Sequence, residues 1–384
     1  MTERIFDQDV QCLTFTARVL SCEARGDAWA VVLDRTAFFP EGGGQGADHG
    51  TLGGARVTDA HDDHGVITHL TDAPLAVDST VTGEVDAVRR LSMMQQHSGE
   101  HIFTGIVHRL YGYDNVGFHI GTDAVTVDFN GSLTEAQVRE VERLANGVIW
   151  RDQPIHAWYP PREELESIEY RSKKAIDGDV RIVAIEGVDC CACCGTHVPT
   201  AGGVGQIKVM NVQKYKSGVR VSILCGMRAL AAENEQLDEN RAVSQALSAK
   251  PGTLAESVKH LLEERDQLRA RCESLGLAAF QAAAKAETGR IRVLPADMLA
   301  PAQLRKAAGT LADGAEAAMV LLPREDGWSY ALCSLTGDVR PMVKALSERF
   351  GGKGGGPKDM AQGVLSSGTP EEFRSLLEEL SAQA

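Results

Sequence analysis

No stretch of the 384-residue sequence approaches eighteen uninterrupted apolar residues, so no hydrophobic transmembrane helix is expected. The opening MTERIFDQDVQCLTF lacks the basic segment followed by an apolar run that marks a secretory signal, so a cytoplasmic protein is expected. Positive charge is in deficit. With 39 Lys and Arg against 53 Asp and Glu the formal net charge is -14, which argues against a chain that coats nucleic acid through an excess of cations. Local basic surfaces stay open, notably YRSKK (residues 170–174) and the series Lys208, Lys214, Lys216, Arg220, Arg228. No internal repeat and no low-complexity tail is present. Cysteine is not scarce, but its count of nine is odd, and in a reducing compartment clustered thiols point to metal binding or catalysis rather than disulfides.

The order of periodicities predicts a multidomain α+β protein. Residues 1–87 alternate apolar and polar positions in CLTFTARVLSCE, AWAVVLDRTAFF, ARVTDAHDD, GVITHLTD and STVTGEVD, which predicts a small β-barrel. PEGGGQGADHG (residues 40–50), between its second and third strands, is too glycine-rich for an ordinary hairpin. Residues 88–227 predict an α+β unit: a helix through RRLSMMQQHSGEHIFTGIVHRLYG, a strand, and a second helix opened by Thr134 and Gln137 at capping-box spacing. The strands GQIKVMNVQKY and GVRVSILCG follow. Residues 228–285 are nearly free of β-formers and are split by Pro251 and Gly252, which predicts a helical hairpin or coiled arm. Residues 286–384 alternate strand and helix around GGKGGGPKDMAQG (351–363), which predicts a compact α/β domain.

Four of the cysteines fall within five positions of DCCACCGTHVPTAGG, ending near His197. In HSGEH, His97 and His101 are four apart on a predicted helix, so both imidazoles leave the same face; Cys193 and His197 repeat the spacing. Three imidazoles and a thiolate form a donor set suited to Zn²⁺, one ion per chain. Four protein ligands close a tetrahedron as in structural sites, whereas catalysis needs an open position. The sequence leaves both readings standing, with His197 the candidate for a labile ligand. HSGEH also fits the HxxEH pattern of inverzincin peptidases, with Glu100 as base, but that reading leaves CCGTH unused.

Four motifs in order, TAFFPEGGGQGADHG, QQHSGEHIF, DCCACCGTHV and GGKGGGPKDMAQG, resemble the long form of the AlaX proteins, free-standing relatives of the editing domain of alanyl-tRNA synthetase. The resemblance covers essentially the whole chain. It implies zinc-dependent hydrolysis, in trans, of the aminoacyl ester of alanine tRNA carrying serine or glycine, without activation of amino acids or a role for ATP. An alanine pocket rejects serine only weakly and cannot exclude glycine, so a second sieve is needed. It implies zinc ligands His97, His101, Cys193 and His197, a serine-reading Thr36, a pocket-facing Gln45, and a substrate loop of Gly42, Gly43 and Gly44. FFP stands where the family more often has FYP, which puts any hydrogen bond from Phe39 in doubt. Residues 286–384 match the DHH-associated domain, with Lys353 and Lys358 as tRNA contacts, and the arm or this domain could pair two copies. The Asp-His-His metal motif of DHH phosphoesterases is absent. Asp48 and Asp128 read equally as pocket carboxylates or solvated strand ends, and Glu100 as a surface residue or a neighbour of the ligands. Editing of seryl-tRNA of the threonine type, and a non-enzymatic tRNA-binding module with structural zinc, are the two alternatives.

Overall fold

Alternation along the first ninety residues becomes six strands closed into a barrel in the computed structural model, which describes residues 1–172 and 179–383. In spatial order they are Thr14–Arg25, Ala28–Leu33, Val66–Thr71, Ala55–Asp63, Gly50–Leu52 and Thr80–Val85, and the last pairs back onto the first with Phe15 opposite Gly83. Closure leaves no free edge in this sheet. Phe15, Ala17, Val19, Val31, Leu33, Phe38, Leu52 and Val57 fill the interior. The sequence extends the second strand through Phe38 and Phe39, but that strand ends at Leu33. Side chains take over the backbone pairing there: the Phe38 N–H donates to Thr36 Oγ1 (3.1 Å) and the Phe39 N–H to Asp48 Oδ2 (2.7 Å). The three-residue strand Gly50–Leu52 was too short to show a period.

His69 is fully buried in this barrel. Its Nδ1 faces the Val31 carbonyl at 3.1 Å, which can only accept, so Nδ1 carries the proton and Nε2 accepts from the Thr36 hydroxyl at 2.8 Å. Burial holds the imidazole neutral by pushing its pKa down to about 4. An unfolded His69 takes up a proton near pH 6.5, so this group stabilises the fold fully above that pH. As pH falls from 6.5 towards 4 the fold loses roughly 3 kcal/mol. Urea midpoints measured across that window should fall with acid in the wild type and fall less in His69→Gln; equal slopes would refute the assignment.

Asp86 caps the next helix, Ala87–Tyr111, accepting from the N–H groups of Val88 and Arg89, and Gly112 ends it with a φ of 67°. Nearly every residue from Met93 to Val107 on this helix is buried, polar ones included. Buried polar groups need partners. Gln96 finds both of its own in the backbone of Cys225, donating to the carbonyl and accepting from the N–H at 2.8 Å each. The helix packs among the helix Glu135–Trp150, a four-stranded sheet ordered Ile207–Tyr215, Gly218–Cys225, Val125–Phe129, Asn115–Ile120, and the three-stranded sheet that ends in Asp189–Ala192. Thr134 and Gln137 form the expected capping box.

Two compact units divide the chain, Met1–Asn240 and Arg241–Ala384, and the described residues mix helices with several sheets. Pro251 and Gly252 lie between the helices Gly226–Ala246 and Leu254–Ala286. In the second unit a five-stranded sheet runs Ile291–Pro295, Ala317–Arg324, Gly327–Cys333, Met360–Leu365, Gly352–Gly355, with only the first pair parallel. Val339, Val343, Leu346, Phe350, Phe373 and Leu377 cover one face, and Phe280, Leu304, Ala308 and Leu311 cover the other. The glycine-rich stretch at 351–363 forms an edge strand and hairpin. Glycine is needed because the buried Tyr330 hydroxyl lies where a Cβ on Gly354 would be. No described helix is long and apolar enough to cross a membrane.

Candidate metal centre

His97, His101, Cys193 and His197 converge, their donor atoms all within 4.8 Å of one another. The first two project from one face of the buried helix Ala87–Tyr111, and the second pair follows the strand Asp189–Ala192 in an irregular turn. Cys193 Sγ is 3.4 Å from His97 Nε2 and 3.5 Å from His197 Nε2. Gly195 lets that turn close, since a Cβ there would overlap the His97 ring.

Every imidazole turns its Nδ1 away from the cluster onto a partner. His97 Nδ1 meets Gln45 Oε1 at 2.8 Å, His197 Nδ1 meets Ser98 Oγ at 3.2 Å, and His101 Nδ1 meets Asp189 Oδ2 at 2.9 Å. Three Nε2 atoms and one sulfur are therefore left pointing at a common centre, a donor set that fits a tetrahedral borderline-soft ion. Burial opposes charge on Cys193, but His97 and His101 outweigh it and hold the thiol well below its ordinary pKa, the direction that favours the metal-binding form of the sulfur. Burial also opposes charge on His101, which Cys193 and Asp189 nevertheless raise well above its usual value, while burial pushes His197 down to about 3.

Gln45 is fully buried, and its amide is spent on this scaffold: besides His97, its Oε1 accepts from the Thr196 N–H (3.2 Å) and its Nε2 donates to Thr196 Oγ1 (2.8 Å). The loop around Gly42, Gly43 and Gly44 thus reaches the cluster through Gln45, and the Gly44 carbonyl accepts from the Ile120 N–H at 3.0 Å. Phe118, packed over Gly44, stands 5.1 Å from the His97 ring. Thr36 is placed differently, its hydroxyl bonded within the barrel to His69 and the Phe38 N–H.

Both ambiguous aspartates are paired. Asp48 is buried against Arg90, and Asp128 takes both Arg220 nitrogens at 2.6 and 2.8 Å, so neither is a solvated strand end. Glu100 is buried rather than on the surface: it accepts from Asn115 Nδ2, and its other oxygen lies 3.9 Å from His101 Nε2. The basic series is largely engaged, with Lys208 on Glu142 at 2.9 Å and Arg228 on Ser92 and the Gly121 carbonyl. In YRSKK, Lys173 and Lys174 lie outside the described residues. Lys353 and Lys358 are exposed in the second unit. Residues that the sequence did not single out are Ser98 and Asp189, while Arg171 was noted only as part of the basic stretch YRSKK; the aspartate opening DCCACCGTH was the available signal.

The family described as threonyl and alanyl tRNA synthetase second additional domain is matched by residues 180–221, and tRNA synthetases class II (A) by residues 7–89. An alanine–tRNA ligase of Methanopyrus kandleri is 33% identical over 390 residues, covering 94% of this chain. One of Pyrobaculum aerophilum is 34% identical over 395 residues. The chain spans only 42% and 43% of those ligases. The alanyl-tRNA editing protein AlaX-L of Pyrococcus horikoshii is 28% identical over 407 residues, which cover 99% of this chain and 98% of that protein. By motif order, site composition and these relatives, the chain is similar to the alanyl-tRNA synthetase-related editing proteins, over its whole length in the case of AlaX-L.

Proposed function

We infer that the protein is a zinc-dependent aminoacyl-tRNA deacylase of the cytoplasm that hydrolyses, in trans, the ester of alanine tRNA carrying serine or glycine. The observation that carries this reading is the convergence of three imidazole nitrogens and one cysteine sulfur within 4.8 Å, in a chain aligned end to end with an editing protein. His97, His101, Cys193 and His197 hold one Zn²⁺. Bound there, the ion supplies polarisation of the ester carbonyl and acidification of the attacking water. Gln45 orients His97, and the backbone of Gly42, Gly43 and Gly44 borders the substrate. The Thr36 hydroxyl, which donates to His69 and accepts from Phe38, keeps one lone pair with which to accept from a serine hydroxyl.

The same reading divides the chain into a barrel (1–87), a zinc-containing editing domain (88–227), a helical arm (228–285) and a DHH-associated domain (286–384). The last holds the tRNA body through Lys353 and Lys358, and it or the arm pairs two copies. Linkage of weakly binding modules lets an acidic chain hold tRNA.

Purified protein is offered Ser-, Gly- and Ala-charged alanine tRNA with and without a chelator. Ser and Gly esters should be cleared, Ala spared, and the chelator should stop the reaction. Thr36→Val should slow Ser release roughly tenfold and leave Gly release within about twofold, the size expected for one lost hydrogen bond. Survival of both wrong esters on metal-replete protein would overturn the reading and leave the closed four-ligand set as a structural zinc.

A further inference from the structure

The three imidazoles are backed by acceptors of unequal strength. Gln45 and Ser98 are neutral, whereas His101 Nδ1 faces a carboxylate, Asp189, which is 9% exposed. Its other oxygen, Oδ1, takes two hydrogen bonds from Arg171, Nε at 2.9 Å and Nη2 at 2.7 Å. Arg171 is fixed in turn. Its N–H donates to the Cys190 carbonyl and its carbonyl accepts from the Ala192 N–H, each at 2.9 Å, so it rides as an added bridge beside the strand Asp189–Ala192. Arg171 Nη2 also donates to Thr104 Oγ1 at 3.2 Å, one turn beyond His101 on the metal-bearing helix. The same guanidinium therefore binds the carboxylate and the helix that carries the imidazole.

An anionic acceptor on Nδ1–H draws that proton outward, places electron density on Nε2 and fixes the tautomer, which makes the imidazole a stronger ligand than one backed by an amide or a hydroxyl. Ser98 is the weakest of the three backers: its Oγ is 3.2 Å from His197 Nδ1 and also accepts from the Val198 N–H at 3.1 Å. We propose that Asp189, held by Arg171, is the positioning residue that makes His101 the anchoring ligand of the metal, and that His197, backed by Ser98, is its most weakly held ligand. This rests on the metal-dependent reading above and adds an order among its ligands.

The test is zinc affinity of the full chain, measured by competition with a chromophoric chelator, beside the visible absorption spectrum of the Co²⁺-loaded protein and the thermal unfolding of the metal-free protein. Asp189→Asn should weaken zinc by about 10- to 100-fold and shift the Co²⁺ bands. Ser98→Ala should change affinity by less than about threefold, and Arg171→Gln should fall between them. Asp189→Asn leaves a guanidinium without its counter-charge, so the double variant Asp189→Asn/Arg171→Gln, which removes both charges, repeats the measurement on a chain free of that penalty. If both Asp189 variants hold zinc as the wild type does, or if Ser98→Ala costs as much as they do, the proposed order is wrong. A wild-type protein that binds no zinc would instead overturn the metal-dependent reading itself.

Discussion

Replacing Cys193 with alanine is expected to abolish stoichiometric zinc binding and to slow release of serine from alanine tRNA roughly a thousandfold, equivalent to about 4 kcal/mol of transition-state stabilisation. Among the clustered cysteines, Cys193 alone joins the three-histidine group. Its thiol is pulled below the ordinary value by His97 and His101, whereas burial raises Cys190 and pushes Cys191 up to about 11. Metal binding requires the thiolate, so of these three thiols Cys193 gives up its proton to a metal at the smallest cost. Cys190→Ala and Cys194→Ala are expected to keep one zinc per chain and to retain activity within about threefold, because neither sulfur faces the cluster. Elemental analysis of the purified variants and single-turnover deacylation give the two readouts. A Cys193→Ala chain that still carries one zinc would show that another sulfur closes the tetrahedron.

The two pairs that converge, His97 with His101 and Cys193 with His197, were legible because the spacing within each is local. Four residues on a helix return to the same face, so HSGEH announces a pair of imidazoles whatever surrounds it. What backs those imidazoles was not legible, because Gln45, Asp189 and Ser98 meet their partners across 52, 88 and 99 positions of sequence. The family resemblance implies a pocket-facing Gln45, and the fold adds that its amide is hydrogen-bonded to His97 and Thr196. Similarly, GGKGGGPKDMAQG has the composition of a loop, and only the ring of Tyr330 beneath it explains why an edge strand is built from glycine. Helix limits fared better, since Asp86, Gly112 and the Thr134–Gln137 box act on adjacent backbone groups.

Asp48→Ala is expected to destabilise the first unit by about 3–5 kcal/mol and to lower its unfolding temperature by roughly 10 °C. Arg90 and Asp48 are buried to 1% and 0% exposure, which makes an unpaired survivor costly. Asp48 Oδ2 accepts from Arg90 and from the Phe39 N–H at 2.7 Å, while Arg90 also donates to the carbonyls of Val10 and Ala37. One guanidinium on the metal-bearing helix thereby ties down the segment 37–48, and that segment carries Gln45 to His97. Loss of Asp48 should accordingly weaken zinc affinity several-fold even though it touches no ligand, as expected when the support of a metal-bound imidazole is loosened. Arg90→Met removes the other charge and orphans fewer groups when combined with Asp48→Ala, so the double variant should be more stable than the sum of the singles by about 2 kcal/mol. Thermal unfolding of the four chains of this cycle, with zinc affinity measured on each, decides the matter. An Asp48→Ala chain that unfolds at the wild-type temperature would show that the pair does not hold the loop to the helix, and the link from barrel to metal would have to run through Gln45 and Thr196 alone.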